Sequence, residues 1–413
     1  MRMPSANNRE INMADFHFDT VPTFTLLPEE GFETTEQRVL RAAEQVPIGV
    51  VIPALYGDLA GPAMERIIQE LTAMDFIKKV YISLDKANFE EFRKAGEIVA
   101  PLEDKGVLLW NDSPGLEQLM REVETQFDLG PRGKGRAVWT ALGYVLAKGD
   151  VSVVAIHDAD VLTYDRRFLV RLLYPVVQKR YQFAKGFYVR YADRLYGRVT
   201  RLFYFPFVKA LRQILSPCEF LDYMAGFRYP LAGEFATFTS LAREMQFPSD
   251  WGIEVGMLGE VYRLVRIPRI CQVELTTRYD HKHQALGERK VGLVKMASDI
   301  ARTFFAHLSS QGIVLSREFF NSLRLTYMIQ AKEGVNVYKV LTEMHDRLKF
   351  DLHEELSAVE MFAGAIEEAM KDFNQHPYGT PLIPEWRRVE VAVEGIYARL
   401  QDVLEDPAPR TVV

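Results

Sequence analysis

The sequence contains very little cysteine. Only Cys218 and Cys271 occur among the 413 residues, and their spacing is not that of a metal-binding motif. Two cysteines exclude a disulfide-rich scaffold, which needs several closely spaced pairs. The composition therefore predicts reduced cysteines and a cytoplasmic protein.

Long hydrophobic runs are also absent. No uninterrupted stretch approaches the ~20 apolar residues that a membrane-spanning helix needs, and the first residues carry no apolar segment of signal-peptide length. We therefore expect no membrane span. The net charge of −6 argues against nucleic acid as a partner. The sequence contains no internal repeat or low-complexity segment.

Strand-like and helix-like segments alternate between Gly49 and Asp160. Short β-branched runs such as GVVIPAL, KVYISL and VLLW are separated by amphipathic stretches. This alternation predicts an α/β fold with a doubly wound, mostly parallel sheet. Because such connections are right-handed, the loops that carry Asp85, Lys134 and Asp158 should converge at one edge of the sheet.

Three regions are predicted along the chain. Residues 1–45 lack strong periodicity and suggest an N-terminal arm. Residues 46–290 form the α/β domain, in which 198–215 is a basic helix bent near Pro206 and 229–234 is a turn that enters another helix. Residues 291–413 are helical, with helices over about 291–311, 316–332, 336–349, 351–373 and 384–405. Their apolar faces suggest a homodimer.

Two carboxylates follow the apolar run VSVVAI. Strand alternation would place Asp158 and Asp160 on one face, just beyond the carboxyl end of a buried strand, where open α/β sheets bind ligands. Such a pair repels unless a cation lies between the two groups, and hard oxygen ligands suit Mg²⁺ or Mn²⁺. An acidic turn without a ligand is the alternative.

A glycine-rich basic loop precedes this strand. Gly133-Lys134-Gly135 opens a helix, where backbone N–H groups and the helix dipole favour anions. The loop lacks the spacing of a P-loop, so an ATPase is not indicated. A flexible basic loop is the alternative.

A second anion-binding pattern follows at Gly197-Arg198-Val199-Thr200. A guanidinium, a hydroxyl and free N–H groups at a helix start suit phosphate or carboxylate. An ordinary helix start is the alternative. Further basic residues nearby favour an anionic small molecule: Lys185, Arg190 and Arg194.

Polar residues after other elements complete the candidate set. His281 and His283 could add a metal ligand, or they could be surface histidines. Glu234 and Glu254 follow glycine-containing turns, where a carboxylate can bind sugar hydroxyls, act as a base or complement a helix dipole.

Taken together, these motifs resemble retaining GT-A glycosyltransferases, and within them the glucosyl-3-phosphoglycerate synthases. The resemblance spans roughly residues 49–313, and GRVT separates this family from the mannosylglycerate synthases. It depends on seven motifs in order: VIPAL at Val51, RGKG at Arg132, HDAD at His157, GRVT at Gly197, PLAGE at Pro230, WGIEVG at Trp251 and DHKH at Asp280.

The resemblance implies a GT-A catalytic domain over 46–290 and a role for each motif residue. It implies that Mg²⁺ or Mn²⁺ is the cofactor and that a nucleotide-sugar and 3-phosphoglycerate are the substrates. The implied donor-binding residues are Pro53, Ala54, Leu55, Asp85, Lys134 and Asp158. The implied acceptor-binding residues are Gly197, Arg198 and Thr200. Asp160 and His281 are the implied metal ligands, and Asp158, Asp160, Glu234 and Glu254 are the implied catalytic set.

The resemblance implies transfer of glucose, with UDP-glucose favoured as donor, and retention of the anomeric configuration. Tyr56 and Gly57 depart from the pattern at the base-recognition end, so GDP-mannose with 3-phosphoglycerate or glycerate is the nearest alternative. A sugar-phosphate nucleotidyltransferase is an alternative of another class, although LYGDLAG at Leu55 is a poor match to its glycine-rich signature. A non-catalytic nucleotide-sugar sensor is a third, which the intact aspartate pair disfavours.

Overall fold

Eight strands form the central sheet of the computed structural model, which describes residues 20–26, 31–280, 292–375 and 382–407. The order across the sheet is β1-β9-β6-β7-β5-β2-β3-β4, and β8 pairs with β10 in a separate two-stranded sheet. The strands are β1 (Thr23–Phe24), β2 (Ile48–Leu55), β3 (Ile77–Asp85), β4 (Gly106–Trp110), β5 (Val153–Ile156), β6 (Phe183–Tyr188), β7 (Phe235–Phe238), β8 (Phe247–Pro248), β9 (Ile270–Thr276) and β10 (Leu382–Ile383).

Helices cover both faces of this sheet. The helices of the α/β region are α1 (Phe32–Ala43), α2 (Tyr56–Leu59), α3 (Pro62–Thr72), α4 (Phe89–Val99), α5 (Pro114–Glu124), α6 (Lys134–Lys148), α7 (Arg166–Val177), α8 (Phe205–Leu215), α9 (Glu219–Ala225), α10 (Thr239–Ala242) and α11 (Ile253–Leu264). The later helices are α12 (Gly292–Ser310), α13 (Arg317–Glu343), α14 (Leu352–Gln375), α15 (Trp386–Ala392) and α16 (Ile396–Glu405). Short 3₁₀ segments span Ala100–Lys105 and Ile267–Arg269, and a π-helix spans Val199–Tyr204.

The sheet is mostly parallel, as predicted. β2 pairs in parallel with both β3 and β5, and only β7 runs antiparallel to its neighbours β5 and β6. The chain proceeds from β2 to β3 and β4 on one side and then returns to β5 on the other. The carboxyl ends of β2 and β5 therefore flank a topological switch point, where such sheets bind ligands.

Alternation along β2 divides the core between the two faces of the sheet. Val51 packs with one hydrophobic cluster, whereas Val50 and Ile52 pack with the other. The first cluster continues into α12, α13, α14 and α16, so the C-terminal helices share a core with the sheet. The hydrophobic core therefore continues across residue 290, and the domain boundary predicted there stays a prediction.

Local signals explain where several helices begin. Asn88 caps α4, because its side chain accepts from the Glu91 N–H while the Glu91 carboxylate accepts from the Asn88 N–H. Ser113 caps α5 ahead of Pro114 with one bond, because its hydroxyl oxygen accepts from the Leu116 N–H. Local capping therefore helps to determine where α4 and α5 begin.

Several local predictions were wrong. The region predicted as an arm contains α1, which packs on α7, and β1, which extends the sheet beside β9. The turn at Tyr229 enters the strand β7 rather than a helix, because residues 235–238 pair between β5 and β6.

The C-terminal helices also differ from the prediction. Helices predicted over 316–332 and 336–349 are one helix, α13, since packing on α8 and α14 carries the helix through Gly334. The last predicted helix is divided into α15 and α16 at Gly395, whose φ is +64°. Within the described ranges, no helix is both long enough and apolar enough to span a membrane.

Candidate active site

Lys134 lies at the centre of the ionic contacts beyond β5. Its Nζ lies 2.7 Å from Oδ1 of Asp158 and 3.0 Å from Oε1 of Glu254. Burial alone would lower the pKa of Lys134, but the two carboxylates outweigh it and hold the pKa well above its ordinary value. The structure therefore brings together three predicted residues from three separate motifs.

The glycines of the RGKG loop permit this meeting. A Cβ on Gly135 would fall 1.9 Å from the carbonyl oxygen of Pro248, so the loop and the segment before α11 pack backbone to backbone. That contact places the first turn of α6 against the first turn of α11, which carries Glu254. Close packing is thus a role of these glycines that the anion-binding interpretation did not include.

Asp158 lies in the irregular segment beyond the strand, because β5 ends at Ile156. The alternation that predicted one shared face for Asp158 and Asp160 therefore does not reach them. Asp158 instead packs on Gly233, where a Cβ would fall 2.7 Å from its Oδ1. Asp160 is partly buried in the turn that follows.

Glu234 is completely buried behind Asp158. Its two carboxylate oxygens accept hydrogen bonds from the hydroxyls of Tyr188 (2.9 Å) and Tyr279 (2.6 Å). Burial and the charge of Asp158 raise the pKa of Glu234, whereas the tyrosine hydroxyls oppose that rise. The carboxylate is thereby fixed in one orientation.

Lys185 on β6 is a buried cation that the sequence analysis placed only in a basic neighbourhood. It is 1% exposed, and its Nζ donates to the carbonyl oxygen of Ala232 in the PLAGE turn. Burial lowers its pKa to about 8, although the charges of Glu254 and Glu234 pull the other way. A lysine inside the apolar strand QFAKGFYV is the signal that could have identified it.

Glu254 presents an unused oxygen. Its Oε1 accepts from Lys134, but its buried Oε2 has no hydrogen-bond partner among the described residues. A buried carboxylate oxygen without a donor costs free energy unless a ligand supplies one. The geometry thus suits a hydroxyl donor such as that of a sugar.

The predicted base-recognition residues lie on neighbouring strand ends. Leu55 is in register with Asp85 across β2 and β3, and Leu55 is 46% exposed while Ala54 is 7% exposed. Pro53 is partly buried beside Ser83. Asp85 accepts from Arg132 at 2.7 Å, an ion pair that the sequence did not indicate.

A row of tyrosines connects this region to the predicted acceptor motif. The ring of Tyr188 stacks on the ring of Tyr279, with 3.6 Å between the ring centroids, and its centroid lies 4.9 Å from that of Tyr229. A Cβ on Gly197 would fall 2.7 Å from the Tyr229 hydroxyl, and the φ of Gly197 is +73°, a region that glycine favours. Two aromatic rings, those of Tyr188 and Tyr229, therefore lie between Glu234 and the GRVT helix start.

Arg198 is held by carboxylates from α14. Its Nη2 lies 2.5 Å from Glu354 and its Nε lies 3.3 Å from Glu355. Thr200 is 3% exposed within the π-helix and does not line the adjacent cavity. The sequence analysis missed both glutamates, because a Glu-Glu pair in the first turn of a helix usually complements the helix dipole.

The structure tests the predicted metal site only in part. The described residues contain no group of three or more His, Cys, Asp or Glu side chains that could hold a metal. The predicted ligand His281 and its neighbour His283 lie outside the described residues. Asp158 and Asp160 supply the hard oxygen donors that Mg²⁺ and Mn²⁺ prefer, so the donor chemistry fits.

Comparison with known proteins gives a consistent result. No protein-family model matches the chain. The chain is 41% identical over 399 residues to a glucosyl-3-phosphoglycerate synthase from Persephonella marina, covering 95% of this chain and 99% of that protein. It is 34% identical over 365 residues to one from Methanococcoides burtonii, covering 86% of this chain and 89% of that protein.

Solved structures agree on the fold. Glucosyl-3-phosphoglycerate synthase from Mycobacterium tuberculosis, in complex with Mn²⁺, UDP-glucose and phosphoglyceric acid, superposes with a TM-score of 0.53 at 22% identity. The match covers 72% of this chain and 90% of the other. A complex of the M. tuberculosis protein with Mg²⁺ and UDP gives a TM-score of 0.51 at 21% identity. The predicted GT-A fold is thereby confirmed.

Proposed function

This chain belongs to the glucosyl-3-phosphoglycerate synthase family, and on that premise we propose that it transfers glucose from UDP-glucose to D-3-phosphoglycerate. The products are glucosyl-3-phosphoglycerate and UDP. The structural observation that carries the proposal is the Lys134 cluster, which joins Asp158 after β5 to Glu254 of α11. A cation between two carboxylates at a switch point suits an anionic donor.

The donor half of the site is built on β2, β3 and β5. Pro53, Ala54 and Leu55 line the uracil site in this proposal, and Asp85 lies near the ribose. The register of Leu55 with Asp85 supports this assignment, because both residues end their strands at the same edge. Lys134 meets the diphosphate.

Asp160, with Asp158, would hold Mg²⁺ or Mn²⁺, and His281 is the further ligand that the resemblance implies. When bound, the metal offsets the charge that develops on the departing diphosphate. Lys134 and Lys185 would also offset this negative charge, because they place two ammonium groups among three carboxylates.

The sugar lies between Glu234 and Glu254 in this proposal. The unpartnered Oε2 of Glu254 accepts from a glucose hydroxyl, and the buried Glu234 holds the tyrosines that shape the pocket. In the transfer step, the acceptor hydroxyl oxygen forms a bond to the anomeric carbon while that carbon's bond to the diphosphate breaks. The hydroxyl proton leaves with the diphosphate oxygen.

Retention of configuration is consistent with these contacts. Both oxygens of Glu234 are engaged by tyrosine hydroxyls, and one oxygen of Glu254 is engaged by Lys134. Such hydrogen bonds weaken a carboxylate as a nucleophile. Attack from the face of the leaving group, without a covalent intermediate, therefore fits these side chains better.

Arg198 binds the acceptor phosphate in this proposal, together with the helix start at Gly197 and Thr200. Arg198 is 18% exposed at its side chain and lines a cavity, which supports a ligand role. Thr200 lies deeper and contributes from beneath. The ring contacts of Tyr188 with Tyr279 and Tyr229 support a phosphate site close to the sugar site.

The direct test measures UDP release from UDP-glucose with 3-phosphoglycerate, with and without a metal chelator. We expect turnover that needs both the acceptor and Mg²⁺ or Mn²⁺. Turnover with glycerate in place of 3-phosphoglycerate would overturn the acceptor assignment, and activity confined to GDP-mannose would overturn the donor. Release of pyrophosphate from UTP would favour the nucleotidyltransferase.

We propose that the homodimer predicted from the sequence forms through one exposed face of α13. Large apolar side chains recur at intervals of three, four or eight along α13 and its C-cap residue and are exposed on one face: Leu325, Ile329, Val337, Val340 and the C-cap Met344. Sedimentation of Leu325→Glu should show a monomer, whereas Val391→Glu, at an exposed site on α15, should sediment like the parent. If both variants sediment alike, α13 is not part of the dimer interface.

The cytoplasmic location also stays a proposal. Both cysteines are free in the structure, and Cys271 is buried, where burial raises the pKa of its thiol. Reduced cysteines agree with a reducing compartment.

A further inference from the structure

The cavity beside Arg198 has a volume of about 280 Å³ and lies between the loop before the π-helix and the start of α14. It carries four basic and three acidic side chains, and the acidic ones all come from the C-terminal region. Its charged lining residues are Arg194, Arg198, Arg201, Lys349, Asp351, Glu354 and Glu355. The helical C-terminal region thus forms one wall of the proposed acceptor site.

Glu355 is a structural part of this wall. Its side chain is 7% exposed, and its two oxygens accept from Nη1 and Nη2 of Arg201 at 2.8 and 3.3 Å. Arg201 also donates to the carbonyls of Tyr196 and Leu195 and lies over the ring of Tyr338. This buried pair fixes α14 against the GRVT helix.

Glu354 is placed differently. Its side chain is 37% exposed, and it puts one oxygen on each of two guanidinium groups. Its Oε1 lies 2.5 Å from Nη2 of Arg198, and its Oε2 lies 3.1 Å from Nη1 of Arg194. A phosphate uses two oxygens in this same bridging manner, with more negative charge.

The backbone around Glu354 is anchored by bonds that do not involve its carboxylate. Asp351 caps α14 by accepting from the Glu354 N–H at 3.0 Å. The Lys349 N–H donates to the carbonyl of Asp193 at 2.8 Å, which ties the segment to the loop that carries Arg194. The Glu354 side chain can therefore leave the arginines without unseating α14.

We propose that Arg194 is a second ligand of the acceptor phosphate and that Glu354 competes with that phosphate for Arg194 and Arg198. This inference depends on the proposed function, because it takes Arg198 as the acceptor-phosphate ligand. An acceptor must then displace the Glu354 carboxylate from these arginines in order to bind. A dianionic phosphate displaces it, whereas an acceptor that has only a carboxylate, such as glycerate, displaces it poorly. The C-terminal region thereby determines acceptor specificity.

The test compares KM for 3-phosphoglycerate in the full-length protein and in Glu354→Gln. Removing the competing charge should lower KM, by about threefold to tenfold for a partly exposed ion pair. Inorganic phosphate should become a correspondingly stronger competitive inhibitor. Arg194→Met should raise KM and weaken inhibition by phosphate by about tenfold. Glu360→Gln, an exposed position on α14 outside the cavity, is the matched control and should change neither constant.

Opposite results would overturn the inference. If Glu354 only positions Arg198, then KM should rise in Glu354→Gln and recover in Glu354→Asp. An unchanged KM in Glu354→Gln, with a wild-type protein that turns over 3-phosphoglycerate, would overturn the competition alone. A wild-type protein without turnover on 3-phosphoglycerate would instead overturn the proposed function.

Discussion

Two ionic clusters form the two ends of the proposed site, and they are built in opposite ways. At the donor end the cation Lys134 lies between two carboxylates, those of Asp158 and Glu254. At the acceptor end a single carboxylate, Glu354, lies between Arg194 and Arg198. The donor end thus has carboxylates in excess and suits a metal, whereas the acceptor end has guanidinium groups in excess and suits a phosphate.

The clusters also differ in where their residues come from. All three donor-end residues belong to the α/β region and to motifs that the sequence made visible. The acceptor end needs α14, more than 150 residues beyond Arg198 in the chain. A binding site can therefore be divided between a recognisable motif and a region that carries no motif.

The largest expected effect is at the donor end. Lys134→Met removes the cation between the buried carboxylate of Glu254 and the partly buried carboxylate of Asp158, and kcat/KM should fall by about 10²- to 10³-fold. Steady-state kinetics with UDP-glucose would measure it. The control is Lys148→Met, which removes a lysine of the same helix whose ammonium pairs with Glu405 at the surface. The kinetics of this variant should match those of the parent. Similar values for Lys134→Met and the parent would contradict the donor-end assignment.

Glu355 should matter for stability more than for the chemical step. Glu355→Ala leaves the buried guanidinium of Arg201 without its carboxylate, which should lower the free energy of unfolding by about 3 kcal/mol. Denaturant unfolding would measure this change. Glu354→Ala, which breaks a half-exposed pair, should cost about 1 kcal/mol or less. Equal losses in the two variants would remove the distinction drawn between these glutamates.

Arg198→Ala tests whether the two ends act separately. We expect KM for 3-phosphoglycerate to rise by about 10- to 30-fold, because a charge-assisted phosphate contact is lost. KM for UDP-glucose should change far less. Arg212→Ala on α8, which breaks an exposed pair with Asp222 on α9, serves as the control. A parallel rise in both KM values would contradict the division into two ends.

The smallest expected effect concerns pH. The pKa of Lys185 is about 8 against an ordinary 10.5, so this lysine loses its charge as the pH rises through about 8. The carboxylates near it then keep only Lys134 as a counter-charge, and turnover of the anionic donor should fall severalfold. Lys185→Arg keeps the charge and should move this fall to higher pH. An unchanged pH profile in that variant would remove Lys185 from the donor end.

Deprotonation of Lys185 should lower activity but should raise the free energy of unfolding. Between about pH 8 and 10.5 the unfolded chain holds this proton more tightly than the folded chain does. The contribution of Lys185 to the free energy of unfolding therefore rises with pH across that window. Thermal melts at pH 7.5 and 9 would separate loss of activity by titration from loss by unfolding.

Sequence reasoning was sound where local patterns decide structure. Short apolar runs located β2, β3, β4 and β5, and the amphipathic stretches between them indicated the helices that separate these strands. The prediction was wrong at α1 and β7. Residues 32–43 form a helix that packs on α7, and FATF is a strand only because β5 and β6 lie on either side of it. Tertiary pairing outweighed local preference there.

Residue types and motif order in the sequence were enough to determine the GT-A sheet, the loops that converge at its edge and the residues Lys134, Asp158 and Glu254. Only the tertiary structure decided that Lys185 faces the PLAGE turn, that Tyr188 and Tyr279 hold Glu234, and that α14 brings Glu354 to Arg198. The physical reason is that an ion pair depends on distance in space. A residue carries its charge in the sequence, but packing chooses its partner.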